Sequence, residues 1–314
     1  MRVLVTGGAG FLGSHLCDRL IADGHHVTSL DDYSSGSEHN HRHLIDHPQF
    51  RALDADVREG LDFDDLDAIY HLACPASPAD YERDPIGTAT TAVIGTLQVL
   101  DLARATGARV LLASTSEVYG EPAVHPQPES YWGNVNLLGP RACYDEGKRM
   151  AEVLSFDYAR TTEVEVKVAR IFNTYGPRMP ADGRVVRKFI SLALAGEPLV
   201  IMGDGHQTRS FCYVADTVDA LVLLMASESD FQGPVNLGNP EEITVLELAE
   251  LVCDVTGSAS PVDHIPERQD DPTRRCPDIT LARKRLGWSP QVRLGDGLKR
   301  TVDALGESEQ NRSE

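Results

Sequence analysis

Paired cysteines and clustered metal ligands are missing from this 314-residue sequence. Its six cysteines are far apart, with no Cys-x-x-Cys motif, and no two histidines have the spacing of a metal-binding pair. We therefore expect neither a disulfide framework nor a metal site, and a reducing compartment. The alternating His39, His41 and His43 lie in a polar stretch without other ligands, so we expect them in a loop.

Long apolar runs are also missing. No run suggests a membrane-spanning helix. Residues 1–6 already have the pattern of a buried strand, which predicts that no signal peptide precedes the fold. We expect a soluble, cytoplasmic protein that does not bind membranes.

Positive charge is scarce. Lys and Arg together number 29 against 48 Asp and Glu, which gives a net charge of −19. The electrostatic field of so negative a protein repels nucleic acids and anionic membranes, so we expect the protein to bind neither. An anionic ligand would have to meet a local group of arginines. Only five lysines occur, so a lysine at a motif position, such as Lys148, carries more weight than it would elsewhere.

Short β-branched apolar runs alternate with helix-like segments in the first half of the chain. The predicted strands are 3–6, 26–30, 50–54, 68–72, 110–114 and 165–170, and the predicted helices are 11–23, 85–106 and 141–161. This alternation is typical of parallel strands joined by crossover helices, which predicts an α/β fold with a doubly wound parallel sheet. Beyond residue 175 the elements become shorter and the loops richer in Gly, Pro, Asp and Arg.

A glycine-rich turn follows the first predicted strand and opens the first predicted helix. Gly7 permits a tight turn, Gly10 lets the backbone approach a pyrophosphate, and Gly13 allows the helix to pack closely on the strand. Asp31, at the end of the second strand, can accept hydrogen bonds from both ribose hydroxyls and would repel a 2′-phosphate. The pattern therefore predicts a dinucleotide site that prefers NAD to NADP.

Four further positions are candidate contacts of the cofactor. They are Phe11 and Leu12 in the glycine-rich turn, Asp56 after the third strand and Leu72 at the end of the fourth. Asp56 could contact adenine. An acid after a strand is also common as a helix cap, and that alternative stays open for Asp56.

A candidate reactive group lies near the middle of the chain. Tyr144 and Lys148 are four residues apart in a predicted helix and so share a face. A nearby ammonium favours the phenolate, which lets the pair act as a base near neutral pH. Thr115 and Glu117 follow the fifth strand, at the sheet edge where such folds bind ligands. Together they predict redox chemistry on an alcohol plus a second step, although Glu117 could also be a structural carboxylate bonded to backbone amides.

These motifs resemble those of the extended short-chain dehydrogenases/reductases, and more narrowly those of the UDP-glucuronate decarboxylases, also called UDP-xylose synthases. The matching segments are 71–78, 114–120, 131–149, 169–179, 203–211 and 270–278, within a resemblance that spans residues 1 to about 305. The 131–149 block and the Cys-Pro-Ala-Ser-Pro loop are specific to the decarboxylases. Leu137 and Leu138 depart from the Pro-Ile that is usual in the family.

The resemblance implies a domain organisation. It implies a Rossmann domain that binds NAD over residues 1–175, to which some later segments return, and a smaller, interleaved α/β lobe over 176–305 that binds the UDP-sugar. Residues 306–314 have no apolar side chain to bury, so we expect a disordered tail there. The predicted helices 85–106 and 141–161 are long and have apolar positions on more than one side. Relatives form dimers by pairing such helices, so we expect a homodimer.

The resemblance also narrows the reaction. Related 4,6-dehydratases have the run Ser-Thr-Asp-Glu, in which the Asp is the acid for the departing hydroxyl. This chain has Ser116 in place of that Asp, so it lacks the acid that expulsion of hydroxide requires. Epimerases usually lack the Glu, so Glu117 argues against simple epimerisation. The resemblance implies decarboxylation of UDP-glucuronate to UDP-xylose with a tightly bound, recycled NAD. The alternatives are release of the UDP-4-keto-pentose, a related dehydratase or epimerase, and a catalytically silent NAD-binding regulator, which the retained Tyr144 and Lys148 disfavour.

The resemblance assigns roles to the candidate residues. Tyr144 takes the proton of the C4 hydroxyl, Lys148 holds the phenol's charge and the ribose, and Thr115 orients the hydroxyl. Glu117 and Arg275 are candidates for decarboxylation and for protonation of C5. The candidate substrate contacts are Pro75, Ala76, Ser77, Glu117, Asn173, Arg178, Lys188, Arg209 and Arg275, with Arg184, Arg268 and Arg274 as further cations. Ser77 could equally be a turn residue.

Overall fold

The computed structural model of the protein describes residues 1–266 and 274–313. Its strands are β1 (Arg2–Thr6), β2 (His26–Asp31), β3 (Phe50–Asp54), β4 (Ala68–His71), β5 (Arg109–Thr115), β6 (Val166–Ile171), β7 (Thr174–Tyr175), β8 (Leu199–Met202), β9 (Thr208–Ser210), β10 (Cys212–Tyr213), β11 (Val235–Leu237), β12 (Glu242–Thr244), β13 (Val262–Ile265) and β14 (Arg274–Arg275). Its α-helices are α1 (Phe11–Ala22), α2 (Pro78–Arg83), α3 (Pro85–Thr90), α4 (Thr96–Thr106), α5 (Ala142–Thr161), α6 (Val185–Ala195), α7 (Val214–Met225), α8 (Val245–Thr256), α9 (Thr280–Leu286) and α10 (Leu294–Ser313). A π-helical turn, Thr91–Gly95, joins α3 to α4, and 3-10 turns occur at Glu38–Leu44 and Ser116–Tyr119.

Seven parallel strands form the central sheet, in the order β11-β6-β5-β4-β1-β2-β3. The order reverses between β1 and β4, so the loops after these strands diverge and leave a crevice at the carboxyl edge. This sheet, with helices on both faces, confirms the predicted fold class. The seventh strand, Val235–Leu237, pairs with β6 and comes from the second half of the chain.

Alternate residues of the central strands face two separate cores. Val5, Tyr70 and Leu111 pack into one apolar cluster, whereas Leu4 and Ile69 pack into the other. All five are almost fully buried. Burial on both faces explains why these strands appear in the sequence as continuous apolar runs instead of alternating ones.

Short sheets after the main one carry basic side chains. Strand β9 pairs with β12 in antiparallel and with β14 in parallel, and this second pairing sets Arg209 opposite Arg275. Strand β8 pairs with β13, and β10 with β7. The helices α6 and α8 pack on each other here. The boundary at residue 175 between two lobes stays a prediction.

The last helix differs from the expected disordered tail. Helix α10 runs from Leu294 to Ser313 and so covers most of the segment 306–314. A helix that is already nucleated gains one hydrogen bond for each residue that it adds, so a helix that begins at Leu294 can continue through a polar stretch of sequence.

One helical stretch within the described ranges, Pro85–Thr106, is apolar enough and long enough to cross a membrane by length and composition alone. It has 22 residues and a mean hydropathy of 1.3, so the prediction that no run reaches this length is wrong by this measure. Its second part, α4, packs on β4, β5 and α5. The core helix of a globular domain has the same composition, and the predicted lack of membrane binding stays a prediction.

Candidate active site

A cleft of about 630 Å³ lies at the carboxyl edge of the central sheet. It brings together nearly all of the predicted site residues. The cofactor and catalytic candidates that line it are Gly7, Gly10, Phe11, Leu12, Gly13, Asp31, Leu72, Thr115, Glu117, Tyr144 and Lys148. The substrate candidates that line it are Pro75, Ala76, Ser77, Asn173, Lys188, Arg209 and Arg275, together with the further cation Arg184.

The glycine-rich turn has the shape that a dinucleotide needs. Gly7 has a φ of +71°, and a Cβ there would lie 2.7 Å from the backbone nitrogen of Ala73. A Cβ on Gly13 would lie 2.1 Å from the carbonyl oxygen of Gly7. Only glycine at these positions therefore lets the turn pack against the backbone at Ala73 and lets α1 pack against the turn. The amino end of α1 faces the cleft. This surface of bare backbone fits a pyrophosphate.

Asp31 stands at the end of β2 with only 7% of its surface exposed. Its two carboxylate oxygens accept hydrogen bonds from the backbone amides of Ala9 (2.9 Å) and Tyr33 (3.0 Å). Burial raises the pKa of Asp31, and these amides partly offset the increase. Each oxygen keeps a lone pair for a further donor, so the carboxylate fits a ribose diol.

Asp56 does not line the cleft. Its carboxylate accepts hydrogen bonds from the Nε of Arg58 at 3.0 and 2.9 Å, and this contact lowers the pKa of Asp56. Its neighbours Ala55, Val57 and Arg58 do line the cleft. The structure therefore does not bring the Asp56 side chain to the adenine position that was predicted, because a local arginine holds it.

Tyr144 and Lys148 lie on one face of α5, as predicted, and both are buried. The ammonium of Lys148 donates to the carbonyl oxygen of Ala113 (2.9 Å), at the end of β5. Burial raises the pKa of Tyr144 well above its usual value, and a hydrogen bond to Thr115 only partly offsets this. The expected phenol of lowered pKa is therefore not what the protein alone produces, because desolvation dominates.

Tyr81 is a cleft residue that the sequence did not reveal. Its ring stacks on that of Tyr144, with the centroids 5.3 Å apart and the planes at 9°. Its hydroxyl is buried without a hydrogen-bond partner among the described residues. The stack restrains the Tyr144 ring in its orientation. No local motif marks Tyr81, which lies 63 residues earlier in the chain, on α2.

Glu117 lies between two arginines. Its Oε2 atom accepts a hydrogen bond from Arg141 and lies 3.2 Å from the Nη2 atom of Arg275. Burial raises the pKa of Glu117, but the charges of Arg275 and Arg141 outweigh this effect and lower it overall. Glu117 is thus an ionised carboxylate held by guanidinium groups. The alternative of a carboxylate held by backbone amides does not describe it, since its acceptors meet side chains.

Arg275 and Arg141 are both buried beside Glu117. Arg275 also donates to the carbonyl oxygen of Ser116. The sequence predicted Arg275 but not Arg141. The signal for Arg141 was its place inside the 131–149 block that carries the family resemblance.

Ser77 has a structural role as well as a place in the cleft. It caps α2, where its Oγ accepts from the amide of Asp80 (3.2 Å) and donates to the carboxylate of Asp80 (2.7 Å). This confirms the reading of Ser77 as a turn residue. Its contact with substrate stays a prediction.

Two predicted cations lie elsewhere. Arg178 does not line the cleft, because its guanidinium pairs with Asp18 of α1 (2.7 Å). Arg274 is exposed and does not line the cleft either. Arg268 lies outside the described residues. Alternation along β14 explains the difference between Arg274 and Arg275, because neighbouring side chains of a strand point to opposite faces.

The parallel sheet, the glycine-rich turn and the Tyr144–Lys148 pair in one cleft define a Rossmann-type nucleotide-binding enzyme. The family model "NAD dependent epimerase/dehydratase family" matches residues 3–238, and the chain belongs to this family. Membership confirms the prediction of NAD as the cofactor.

Curated relatives give a narrower similarity. UDP-glucuronic acid decarboxylase 1 of Danio rerio is 55% identical over 302 residues, which cover 96% of this chain and 72% of that protein. UDP-glucuronic acid decarboxylase 5 of Arabidopsis thaliana is 54% identical over 95% of this chain and 87% of its own length. These similarities confirm the resemblance drawn from the sequence motifs.

Solved structures with the same fold belong to enzymes with different activities. The dTDP-glucose 4,6-dehydratase of Streptomyces venezuelae, crystallised with NAD, superposes with a TM-score of 0.91 at 29% identity and covers 99% of this chain and 98% of its own. The UDP-glucuronic acid 4-epimerase of Bacillus cereus, crystallised with UDP-glucuronic acid and NAD, gives 0.88 at 28% identity, over 98% of this chain and all of its own. The fold is thus shared, and the side chains of the cleft must distinguish the reactions.

Proposed function

We propose that the protein is an NAD-dependent UDP-glucuronate decarboxylase. In this reaction C4 of the sugar is oxidised, the C6 carboxylate leaves as CO2, and C4 is reduced again to give UDP-xylose. The observation that carries this proposal is Glu117, held ionised by Arg141 and Arg275 in the cleft that contains Tyr144 and Lys148. The similarity to curated UDP-glucuronic acid decarboxylases over 95% of the chain or more supports it.

Tyr144 is the base for the C4 hydroxyl. Thr115 lines the same cleft and favours the ionised form of the Tyr144 phenol, and Lys148 brings a positive charge to the same helix face. When bound, NAD accepts the hydride from C4 and later returns it, and its charged nicotinamide ring favours the phenolate.

Loss of CO2 follows from the position of the ketone. A C4 ketone is β to the C6 carboxylate, so the electron pair of the breaking C5–C6 bond can enter an enolate. Arg275 supplies a guanidinium that suits the substrate carboxylate, while the negative charge of Glu117 next to it disfavours retention of that carboxylate. Arg209 and Lys188 line the same cleft and supply cations for the diphosphate.

Dehydration is the less favoured reaction in this cleft. Ser116 lines it at the position where the related dehydratases carry an acid, and a serine hydroxyl is too weak an acid to protonate a departing hydroxide. Release of the UDP-4-keto-pentose differs from the proposed reaction only in its last step.

Incubation of the purified protein with UDP-glucuronate and a catalytic amount of NAD tests the function. We expect CO2 and UDP-xylose in equal amounts without net NADH, because the hydride that leaves C4 returns to it. CO2 accompanied by equimolar NADH would favour the keto-pentose alternative. A protein that binds NAD but releases no CO2 would contradict the proposal.

A homodimer and a UDP-sugar substrate are the partners that we propose. Apolar side chains are exposed on the helices where the dimer was predicted, among them Ile86 (76%), Ile94 (40%), Met150 (46%) and Val153 (50%). Helices α3 and α5 pack against each other, so these residues can form a shared surface for two helices of a second copy. We expect a dimer in sedimentation equilibrium, and a monomer at micromolar concentration would contradict it. The cytoplasmic location stays a prediction.

A further inference from the structure

The proposed reaction needs a proton from outside the substrate, and the inference below rests on that function. When the C5–C6 bond breaks, its electron pair forms an enolate across C4 and C5, and CO2 leaves. C5 must then take up one proton. The proton that Tyr144 removes from the C4 oxygen returns to that oxygen when C4 is reduced. One proton per turnover must therefore come from solvent.

A second cavity behind Glu117 offers a path for that proton. It has a volume of about 140 Å³, which is room for several water molecules. Its lining residues are Glu117, Gly120, Glu121, Asn134, Val135, Asn136, Arg141 and Asp145. Glu117 and Arg141 also line the main cleft, so the two cavities meet at these side chains.

The second cavity extends from solvent to a buried carboxyl group. Glu121, Asn134 and Asn136 are exposed and form its outer part. Asp145 forms its inner part and is only 6% exposed. The Oδ1 atom of Asp145 is buried and has no hydrogen-bond partner among the residues that the structure describes. An unsatisfied buried carboxyl oxygen is costly, and a water molecule in the adjoining polar cavity can satisfy it.

The charges around Asp145 determine which carboxyl group carries a proton. Burial and the negative charge of Glu117 raise the pKa of Asp145 to about 7, although Arg141 and Arg275 oppose this. The pKa of Glu117 is lowered. Below about pH 7 the pair therefore holds its proton on Asp145, while Glu117 is ionised. The charged and titratable groups that act on Asp145 or share its cavity are Glu117, Glu121, Arg141, Glu146 and Arg275, and its own charge acts on Tyr81 and Cys143.

We propose that Asp145 passes a proton to Glu117 through the second cavity, and that Glu117 delivers it to C5 of the enolate. Solvent then protonates Asp145 again through the outer part of the cavity. A substrate carboxylate that binds Arg275 weakens the hold of this arginine on Glu117. Glu117 thereby becomes a better proton acceptor when the reaction requires it. Asp145 acts through Glu117 and is a positioning residue for the proton.

The variant Asp145→Asn tests the relay. Asn has the shape of a protonated Asp and no charge, so we expect the protein to fold and to retain NAD. We expect UDP-xylose formation to fall about 10²-fold, the usual effect of losing a general acid. CO2 release should fall less, so that the enolate leaves the site, takes its C5 proton from bulk solvent and accumulates as UDP-4-keto-pentose with an equal amount of NADH. In the wild type the rate of UDP-xylose formation should decline above about pH 7 as Asp145 loses its proton, and this decline should be absent in the variant.

Two further variants separate the relay from a structural role. Asp145→Glu keeps a carboxyl group and should restore part of the rate and the decline at high pH. Asp157→Asn changes another acid of α5, which pairs with Arg160 and lines neither cavity, and should leave product ratio and pH profile unchanged. The relay is overturned if Asp145→Asn keeps the wild-type pH profile and product ratio. It is also overturned if that variant slows all steps equally without rescue by Asp145→Glu. A wild type that releases no CO2 would instead overturn the proposed function and the relay with it.

Discussion

Replacement of Tyr144 by Phe is expected to lower the rate of UDP-glucuronate turnover by about 10³-fold, within the range for loss of a general base. The change removes the phenol oxygen that takes the C4 proton in the proposed reaction, in the cleft that Thr115 also lines. The ring itself stays, so its stack on Tyr81 and the packing of α5 persist. The fall should appear in CO2 release, and also in the single-turnover formation of NADH, because C4 oxidation comes first.

Tyr158→Phe is the matched control for this prediction. Tyr158 lies on the same helix, and its hydroxyl donates to Asp101 (2.9 Å) at an exposed position. Loss of that hydroxyl should leave turnover unchanged. If Tyr144→Phe kept more than a tenth of the wild-type rate, another group would have to be the base.

Replacement of Glu117 by Gln is expected to separate oxidation from decarboxylation. Gln keeps the shape of the side chain but not its charge, so NAD should stay bound and C4 should still be oxidised. CO2 release should fall by about 10²-fold, because the negative charge that disfavours the substrate carboxylate and the acceptor of the relay proton are both lost. NADH formed in a single turnover, measured beside CO2, tests this separation.

The same change is expected to weaken the fold. Removal of one member of a buried ion pair costs about 3–5 kcal/mol, and Arg141 and Arg275 lose the anion that they share. Glu152→Gln is the matched control: Glu152 is buried, pairs with Arg170 (2.7 Å), and does not line the cleft. It should lower the free energy of unfolding without changing the ratio of NADH to CO2. A wild-type rate in Glu117→Gln would show that Glu117 has a structural role alone.

Much of the fold follows from local sequence patterns. The predicted strands at 50–54 and 68–72 differ from β3 and β4 by one residue at most, because apolar runs and the turns between them are local signals. The helix at 85–106 was predicted as continuous, whereas the structure inserts the π-helical turn Thr91–Gly95. A π-helical turn shifts the phase of the apolar pattern, but this stretch has apolar positions on more than one side, so the shift is not visible in the sequence.

Two of the predicted ligand contacts, Asp56 and Arg178, do not line the cleft. Asp56 and Arg178 were assigned to ligands on residue type and position, yet Arg58 and Asp18 neutralise them. A charged side chain takes the nearest opposite charge, and for Arg178 that partner lies 160 residues earlier in the chain. Tyr81 was missed for a different reason: no local motif marks it, and only the fold places it against Tyr144.

By itself, the sequence determined the parallel sheet, the dinucleotide turn and the pairing of Tyr144 with Lys148, because the signal for each strand, turn and helix lies in neighbouring residues. Only the tertiary structure decided the protonation states of the reacting groups. Glu117 is ionised because Arg141 reaches it from the N-cap of α5 and Arg275 from β14, while burial keeps the Tyr144 phenol protonated. The pKa of a side chain depends on burial and on charges that are close in space, and the distance along the chain does not specify either one.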